Sequence, residues 1–324
     1  MHRATFGTDL SQAYSRSTVL EARNVAFRSS WGLTVALPDR YRQDCGIRLN
    51  KGIAKMPTRS SQLLRARYRQ TMDSPAQWNE VLTTLLSHRS VRSYLPTPLP
   101  PGTLETIIAA AQSAPTSSNL QAWSVIAVED ADRKARLSEL AGGQKHIREA
   151  PLFLVWLADL ARLKDIAQRQ GIDSAALGNL EYFILSVVDT ALAAQNALTA
   201  LESLGMGGVF IGAIRNHPED VAAELTLPPH VLPVFGLCVG YADQAVPTDV
   251  KPRLPQQAVL HHEHYATADA TAAIAAYDVA MRSFQQEQGM DLIDWSRQAA
   301  KRIDRLGTRV RMAEAVRNLG FPLR

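Results

Sequence analysis

Two short stretches hold most of the chemistry that residue type alone allows: His88-Arg-Ser-Val-Arg92 and, far downstream, Lys251-Pro-Arg-Leu-Pro255. Guanidinium forks and a serine hydroxyl match phosphate oxygens, because the donors are planar or compact and the bonds are charge-assisted. His88, Arg89, Ser90 and Arg92 fall where a helix should stop, and a basic helix end also has an ordinary explanation in the macrodipole. Lys251 and Arg253 stand among prolines, which fix the backbone and reduce the freedom lost on gripping a ligand. Two such clusters in one chain point to an anion held between them.

Other segments are less specific. Thr116, Ser117, Ser118, Asn119 and Gln121 form a polar loop that is either a ligand contact or a plain connection. Gly207-Gly-Val-Phe-Ile-Gly212 suits either a helix cap leading into an edge strand or a backbone that approaches a flat ligand. It is not a dinucleotide fingerprint: after Gly205 and Gly207 the third glycine position is Phe210, and these glycines follow a helix rather than a strand. No P-loop lysine, serine nucleophile elbow or spaced Cys–His pair occurs. His261, His262 and His264 have only Glu263 beside them, so no metal is expected. Cys45 and Cys238 are the two cysteines. Cys238 lies in an apolar run and reads as a small buried hydrophobe, in keeping with a reducing compartment.

The elements that must position these groups follow from periodicity. Trp78, Val81, Leu82, Leu85 and Leu86 recur at helical spacing and predict a helix over 77–88. Pro96, Pro98, Pro100 and Pro101 then prevent a regular continuation. Further helices are predicted over 102–113, 180–205, 218–225, 268–287 and 295–318, and strands over 123–128, 151–158, 207–212 and 232–240. The 180–205 helix is apolar on most sides and alanine-rich, so a central, buried position is expected. Strands separated by long helices predict an α+β sheet layered with helices.

At 324 residues, 46% hydrophobic and 20% charged, the chain is an ordinary globular length and composition. The net charge of +4 is unevenly spread, with 13 Lys/Arg against 4 Asp/Glu in residues 1–71. The basic pI therefore belongs to that segment and gives no argument for nucleic-acid binding by the rest. Residues 1–71 read as a basic extension or a mis-assigned start, with Met56 or Met72 as the real one; their composition also suits an organelle transit peptide. Nothing later in the chain is expected to need them, and 72–324 is read as one functional domain. No apolar run is expected to reach the roughly 18–20 residues that span a bilayer, and a cytoplasmic location without membrane contact follows.

Five segments occur in a telling order: His88-Arg-Ser-Val-Arg-Ser-Tyr94, Pro115-Thr-Ser-Ser-Asn-Leu-Gln121, Gly142-Gly-Gln144, Gly207-Gly-Val-Phe-Ile-Gly-Ala-Ile-Arg-Asn216 and Lys251-Pro-Arg-Leu-Pro255. Together, from about Trp78 to about Tyr265, they resemble the FMN-dependent nitroreductase family, in its branch of NADPH-dependent nitroreductases and NADPH–flavin oxidoreductases. The resemblance implies a mixed, mainly antiparallel sheet of four or five strands around a long central helix, in a homodimer. It implies FMN as cofactor and NADPH, or NADH, as hydride donor. Nitroaromatics, quinones or free flavins would be reduced by a ping-pong cycle.

Residue by residue, the resemblance implies that His88, Arg89, Ser90 and Arg253 surround the FMN phosphate. Arg92 and Lys251 would face the ring's N1/O2 edge. Ser117, Ser118 and Gln121 would line the flavin across the dimer, Gln144 would bond the ring or ribityl chain, and Phe210, Ile211 and Gly212 would flank the ring. Arg215 would position the loop or nucleotide, and Arg309 stands for the arginine that takes the NADPH phosphate. Relatives often carry Tyr at Phe210 and Gly at Ala213. No amino acid need act as acid or base, since the flavin does the chemistry while Lys251 and Arg92 tune it. The competing reading is a non-catalytic flavin or nucleotide sensor with a basic interaction arm.

Overall fold

A computed structural model describes residues 58–72, 75, 77–246, 248–266, 270–304 and 307–324. The chain divides into two units, Met1–Met56 and Pro57–Arg324, and everything described lies in the second. The readings made for residues 1–57, including Cys45 and Met56, lie outside the described residues.

Four strands form one sheet: β1 (Trp123–Val128), β2 (Leu152–Asp159), β3 (Gly207–Ile211) and β4 (Val231–Gly240), in spatial order β1-β2-β4-β3. Every pairing is antiparallel. The described helices are α1 (Arg59–Tyr68), α2 (Glu80–Ser87), α3 (Thr103–Gln112), α4 (Ala131–Leu140), α5 (Lys145–Glu149) and α6 (Ala161–Arg169), followed by α7 (Leu180–Ser203), α8 (Pro218–Glu224), α9 (Ala270–Glu287), α10 (Trp295–Asp304) and α11 (Met312–Asn318).

The strand β2 explains the layering. All its residues are buried, and alternation sends Leu152, Leu154 and Trp156 to one face and Phe153, Val155 and Leu157 to the other. On the first face lie Ile107 and Ala111 of α3 with Ala193, Ala194, Ala197, Leu198 and Leu201 of α7. The small alanines let α7 seat closely on the sheet. On the second face lie Leu137 of α4, Ile147 of α5 and Val221 of α8. This arrangement agrees with the expected α+β class, with four strands.

Several expectations need correction. The helix α7 is not buried on most sides: Leu180, Ile184, Val188 and Leu192, four residues apart along one stripe, are each at least 40% exposed. By length and composition its 24 residues would also suffice to cross a membrane, which the sequence reading did not anticipate. Its inner face, however, carries Asp189 and Thr190, both hydrogen-bonded to other elements of the domain. The single helix expected over 295–318 is divided, with a 3₁₀ turn at Gly307–Arg311 between α10 and α11 and Gly307 in the left-handed region at φ +58°. Finally, α1 falls within the segment assigned to the extension, yet Arg67 bonds the backbone of Leu86, His88 and Lys251. The body therefore uses residues from Thr58 onward, where the Thr58 side chain caps α1.

Candidate active site

The cationic clusters meet. The chain leaving α2 passes His88 to Arg92 and runs beside β3: Val91 N–H donates to Gly208 O at 3.1 Å, and Ser90 bridges Gly208 in parallel. The 251–255 segment lies across from it, and Tyr277 of α9 fastens it through a hydroxyl bond to Pro252 O at 2.9 Å. Between them is a cavity of about 190 Å³ lined by His88, Arg89, Ser90, Arg92, Lys251 and Arg253, with Thr248, Asp249, Phe284, Gln288 and Met290. Six of the expected site residues thus line one cavity.

The charges in this cavity are left largely uncompensated. Among the described residues Asp249 is the one carboxylate in the lining, and it approaches Arg69, 3.7 Å away. Among the described residues no carboxylate is within ion-pair distance of Arg89, Arg92, Lys251 or Arg253. Arg89 Nε donates to Thr248 Oγ1 at 3.1 Å, and Arg253 Nη1 reaches only the Lys251 and Pro252 carbonyls at 3.2 Å. Desolvation, and then the charges of Arg92 and Arg253, pull the Lys251 ammonium below its ordinary value. His146 of α5 is likewise pulled down, first by burial and then by Arg92, and its Nε2 is buried without a partner. Cations that converge without carboxylate partners create a local field that favours an anion.

His88 is held rather than free. Its Nδ1 lies 2.6 Å from Glu202 Oε1 near the end of α7, which leaves the other ring nitrogen to face a ligand. The glycines of β3 have a different role from the close ligand approach considered above. A Cβ on Gly207 would stand 2.4 Å from Val91 Cγ2, so the glycine admits the His88–Arg92 strand. Gly205, at φ +79°, ends the approach from α7, in line with the helix-cap reading.

The remaining expected residues lie elsewhere. Phe210 is 37% exposed and meets Phe235 edge to face at 5.1 Å, an apolar shelf on the outer side of β3. Ile211 is 2% exposed, and its side chain enters the core, so only its backbone is free to flank a ring. Gly212 O accepts from Arg309 Nη2 at 2.7 Å, while Arg309 Nε donates to Asn216 Oδ1 at 3.1 Å. Arg215 donates to Val234 O; burial, then the nearby Arg309, lowers its pKa. Gln144 caps α5, with Nε2 donating to Ala141 O at 3.2 Å.

Ser117 and Ser118 are on an exposed 3₁₀ turn, Ser117–Asn119, and Gln121 is exposed just beyond it; none of the three lines the cationic cavity. That loop is constrained: Ser118, Asn119 and Gln121 all have positive φ, between 49° and 56°. Asp189 of α7, 1% exposed, holds it by accepting from Ser117 N–H and Ala122 N–H, both at 3.1 Å. Arg162 Nη2 adds bonds to Gln121 O at 2.6 Å and Trp123 O at 2.9 Å.

Arg67, Glu202, Asp189 and Arg162 were missed by sequence reasoning. Only Asp189 left a signal, as the lone charge inside the apolar run between Glu181 and Glu202. A buried carboxylate in such a run has to find donors.

Residues 85–241 match the family model described as the nitroreductase family, and residues 251–324 match that family's C-terminal domain. Among curated proteins, an FMN reductase [NAD(P)H] of Bacillus subtilis is 41% identical over 233 residues, covering 70% of this chain and 92% of the relative. An oxygen-insensitive NADPH nitroreductase of Salmonella typhimurium is 45% identical over 206 residues, covering 63% and 82%. Among solved structures, the hypothetical oxidoreductase YcnD from Bacillus subtilis superposes with a TM-score of 0.73 at 39% identity, covering 76% of this chain and 99% of that one. The NADPH:FMN oxidoreductase from Vibrio harveyi, complexed with NAD+, gives 0.68 at 31% identity, covering 76% and 100%. The chain belongs to the nitroreductase family.

Proposed function

We propose that this chain is an FMN-dependent oxidoreductase that takes hydride from NADPH and reduces nitroaromatics, quinones or free flavins. One observation carries the reading: cations of two distant segments converge on one cavity, and Arg89, Arg92, Lys251 and Arg253 have no carboxylate partner among the described residues, in a chain of this family. FMN supplies the hydride acceptance and return; the protein binds and orients it. His88, Arg89, Ser90 and Arg253 are assigned to the phosphate end, with Glu202 fixing the His88 ring. Lys251 and Arg92 supply positive charge where negative charge develops, without needing to reorganise at that moment. Gln144, the Gly212 backbone and the Ile211 backbone are assigned to the rest of the flavin, and Phe210 offers an apolar shelf for a planar acceptor. Arg309, with Arg215 beside it, is assigned to the phosphate of NADPH.

The working form is a homodimer. Leu180, Ile184, Val188 and Leu192 form an exposed apolar stripe on α7. Nearby, a surface groove of about 500 Å³ is lined by residues of α2, α3 and α7, including the 60% exposed Val81. An exposed apolar stripe such as that on α7 is what stable interfaces bury. Ser117, Ser118 and Gln121 would then reach the partner's flavin. A cytosolic setting fits the reduced-thiol cysteine usage and the nicotinamide donor.

The test is the visible spectrum of the purified protein before and after anaerobic NADPH. Flavin bands that bleach are expected. A colourless protein that stays apo when given FMN would overturn the assignment, and bound flavin that neither NADPH nor NADH reduces would favour a sensor.

A further inference from the structure

Arg67 is 7% exposed, and it occupies the junction of the two cationic segments. Its Nη2 donates to Leu86 O and His88 O, both at 2.9 Å, and its Nη1 donates to Lys251 O at 2.8 Å. The bond is returned by the backbone, with Arg253 N–H donating to Arg67 O at 2.9 Å. One planar fork thus joins the end of α2 to the 251–255 segment, a task that suits guanidinium and not a lysine point charge. Just beyond, Arg69 Nη1 meets Glu287 Oε1 of α9 at 2.7 Å and seats the end of α1.

No carboxylate among the described residues pairs with Arg67. A buried cation answered only by peptide carbonyls is costly. Burial, then the charge of Arg253, depresses its pKa, so it sits within the field of the cavity cations. An anion in that cavity would lower the cost of burying it. The helix that carries Arg67 precedes residue 85, where the family match begins, so family membership does not account for it.

We propose that α1 is part of the cofactor cradle, with Arg67 as a positioning residue that ties the two cation-bearing segments together, so that docking of α1 and binding of the flavin phosphate favour one another. The proposal rests on the FMN reading above. Coupling of this kind is reciprocal: FMN secures α1 to the degree that docked α1 tightens FMN.

The experiment uses the full-length protein stripped of flavin, with FMN titrated by quenching of its fluorescence and α1 probed by tryptic cleavage after the exposed Arg65. Arg67→Leu is expected to raise the FMN Kd about tenfold or more, Arg67→Lys to fall between, and the exposed-charge control Arg59→Ala to stay within about twofold. Turnover at saturating FMN should recover, separating affinity from chemistry. FMN should slow cleavage in the wild type and not in Arg67→Leu. If Arg67→Leu does not fold, Leu64→Ala loosens the buried seat of α1 with every cation in place, and the same rise in Kd is expected. An unchanged Kd in these variants, or α1 cleavage that FMN does not slow, overturns the strut alone. A wild type that binds no FMN overturns both the strut and the cofactor assignment.

Discussion

Lys251 is held below the ordinary lysine value of 10.5 by desolvation and by Arg92 and Arg253. In the flavin-free protein the folded state therefore releases this proton before the unfolded chain does. Stability should rise with pH between the lowered folded value and the ordinary one, where the unfolded state binds the extra proton. Bound anion favours the ammonium, so FMN affinity should fall as pH rises through that lowered value. Lys251→Met is expected to bind FMN more weakly at neutral pH, to lose this alkaline fall and to slow flavin reduction by NADPH. FMN titrations across pH, with anaerobic stopped-flow reduction, would decide, and an identical pH slope in both proteins would refute the role. Gly207 makes a steric prediction. Gly207→Ala presses against Val91, 2% exposed, and should cost about 1–3 kcal/mol. Adding Val91→Ala should recover part of that loss in urea unfolding, and wild-type stability in the single variant would sink the explanation. At this scale the sequence displayed the groups that line the cationic cavity, because guanidinium, hydroxyl and proline cluster locally. It hid Arg67 and Glu202, whose partners are backbone groups or a ring many positions away, and marked Asp189 only as a lone charge in an apolar run.

Among the elements, legibility followed apolar content. All four strands and the helices α2, α3, α7, α8 and α9 were readable to within a few residues. In contrast α4, α5 and α6 carry too narrow an apolar stripe for periodicity to show, and α6 buries no residue at all. The helix α7 was found but misplaced, because composition cannot distinguish a face that packs on a sheet from one that awaits another surface. Its exposed stripe yields the prediction for this scale. Ile184→Glu and Val188→Glu would put charge into the proposed dimer interface and should each raise the dimer dissociation constant about thirtyfold or more, roughly 2 kcal/mol. Sedimentation velocity over a concentration series reads this directly; a wild type that stays monomeric throughout would refute the interface. Loss of the partner's Ser117–Gln121 loop should weaken flavin retention in the same variants.

For the molecule as a whole, the decisive question is whether α1, which begins behind the Thr58 cap, is needed. Deleting residues 1–57 should leave NADPH-dependent turnover within about twofold, since the Thr58 cap and α1 remain. Deleting 1–71 removes Arg67 as well and should release FMN, so the two truncations are expected to differ in flavin content by absorbance. Equal flavin content would return α1 to the dispensable segment that composition suggested. The span of the Arg67 clamp also sets a schedule. Arg67 and its partner Lys251 are separated by 184 positions. A ribosome adding about 5–20 residues per second needs roughly 10–40 s to deliver the second after the first. During that interval the emerging chain exposes His88–Arg92 and its arginines without the opposing wall, so on the cofactor assignment proposed above FMN would be captured only after synthesis has passed Arg253, which would make loading one of the last events of maturation.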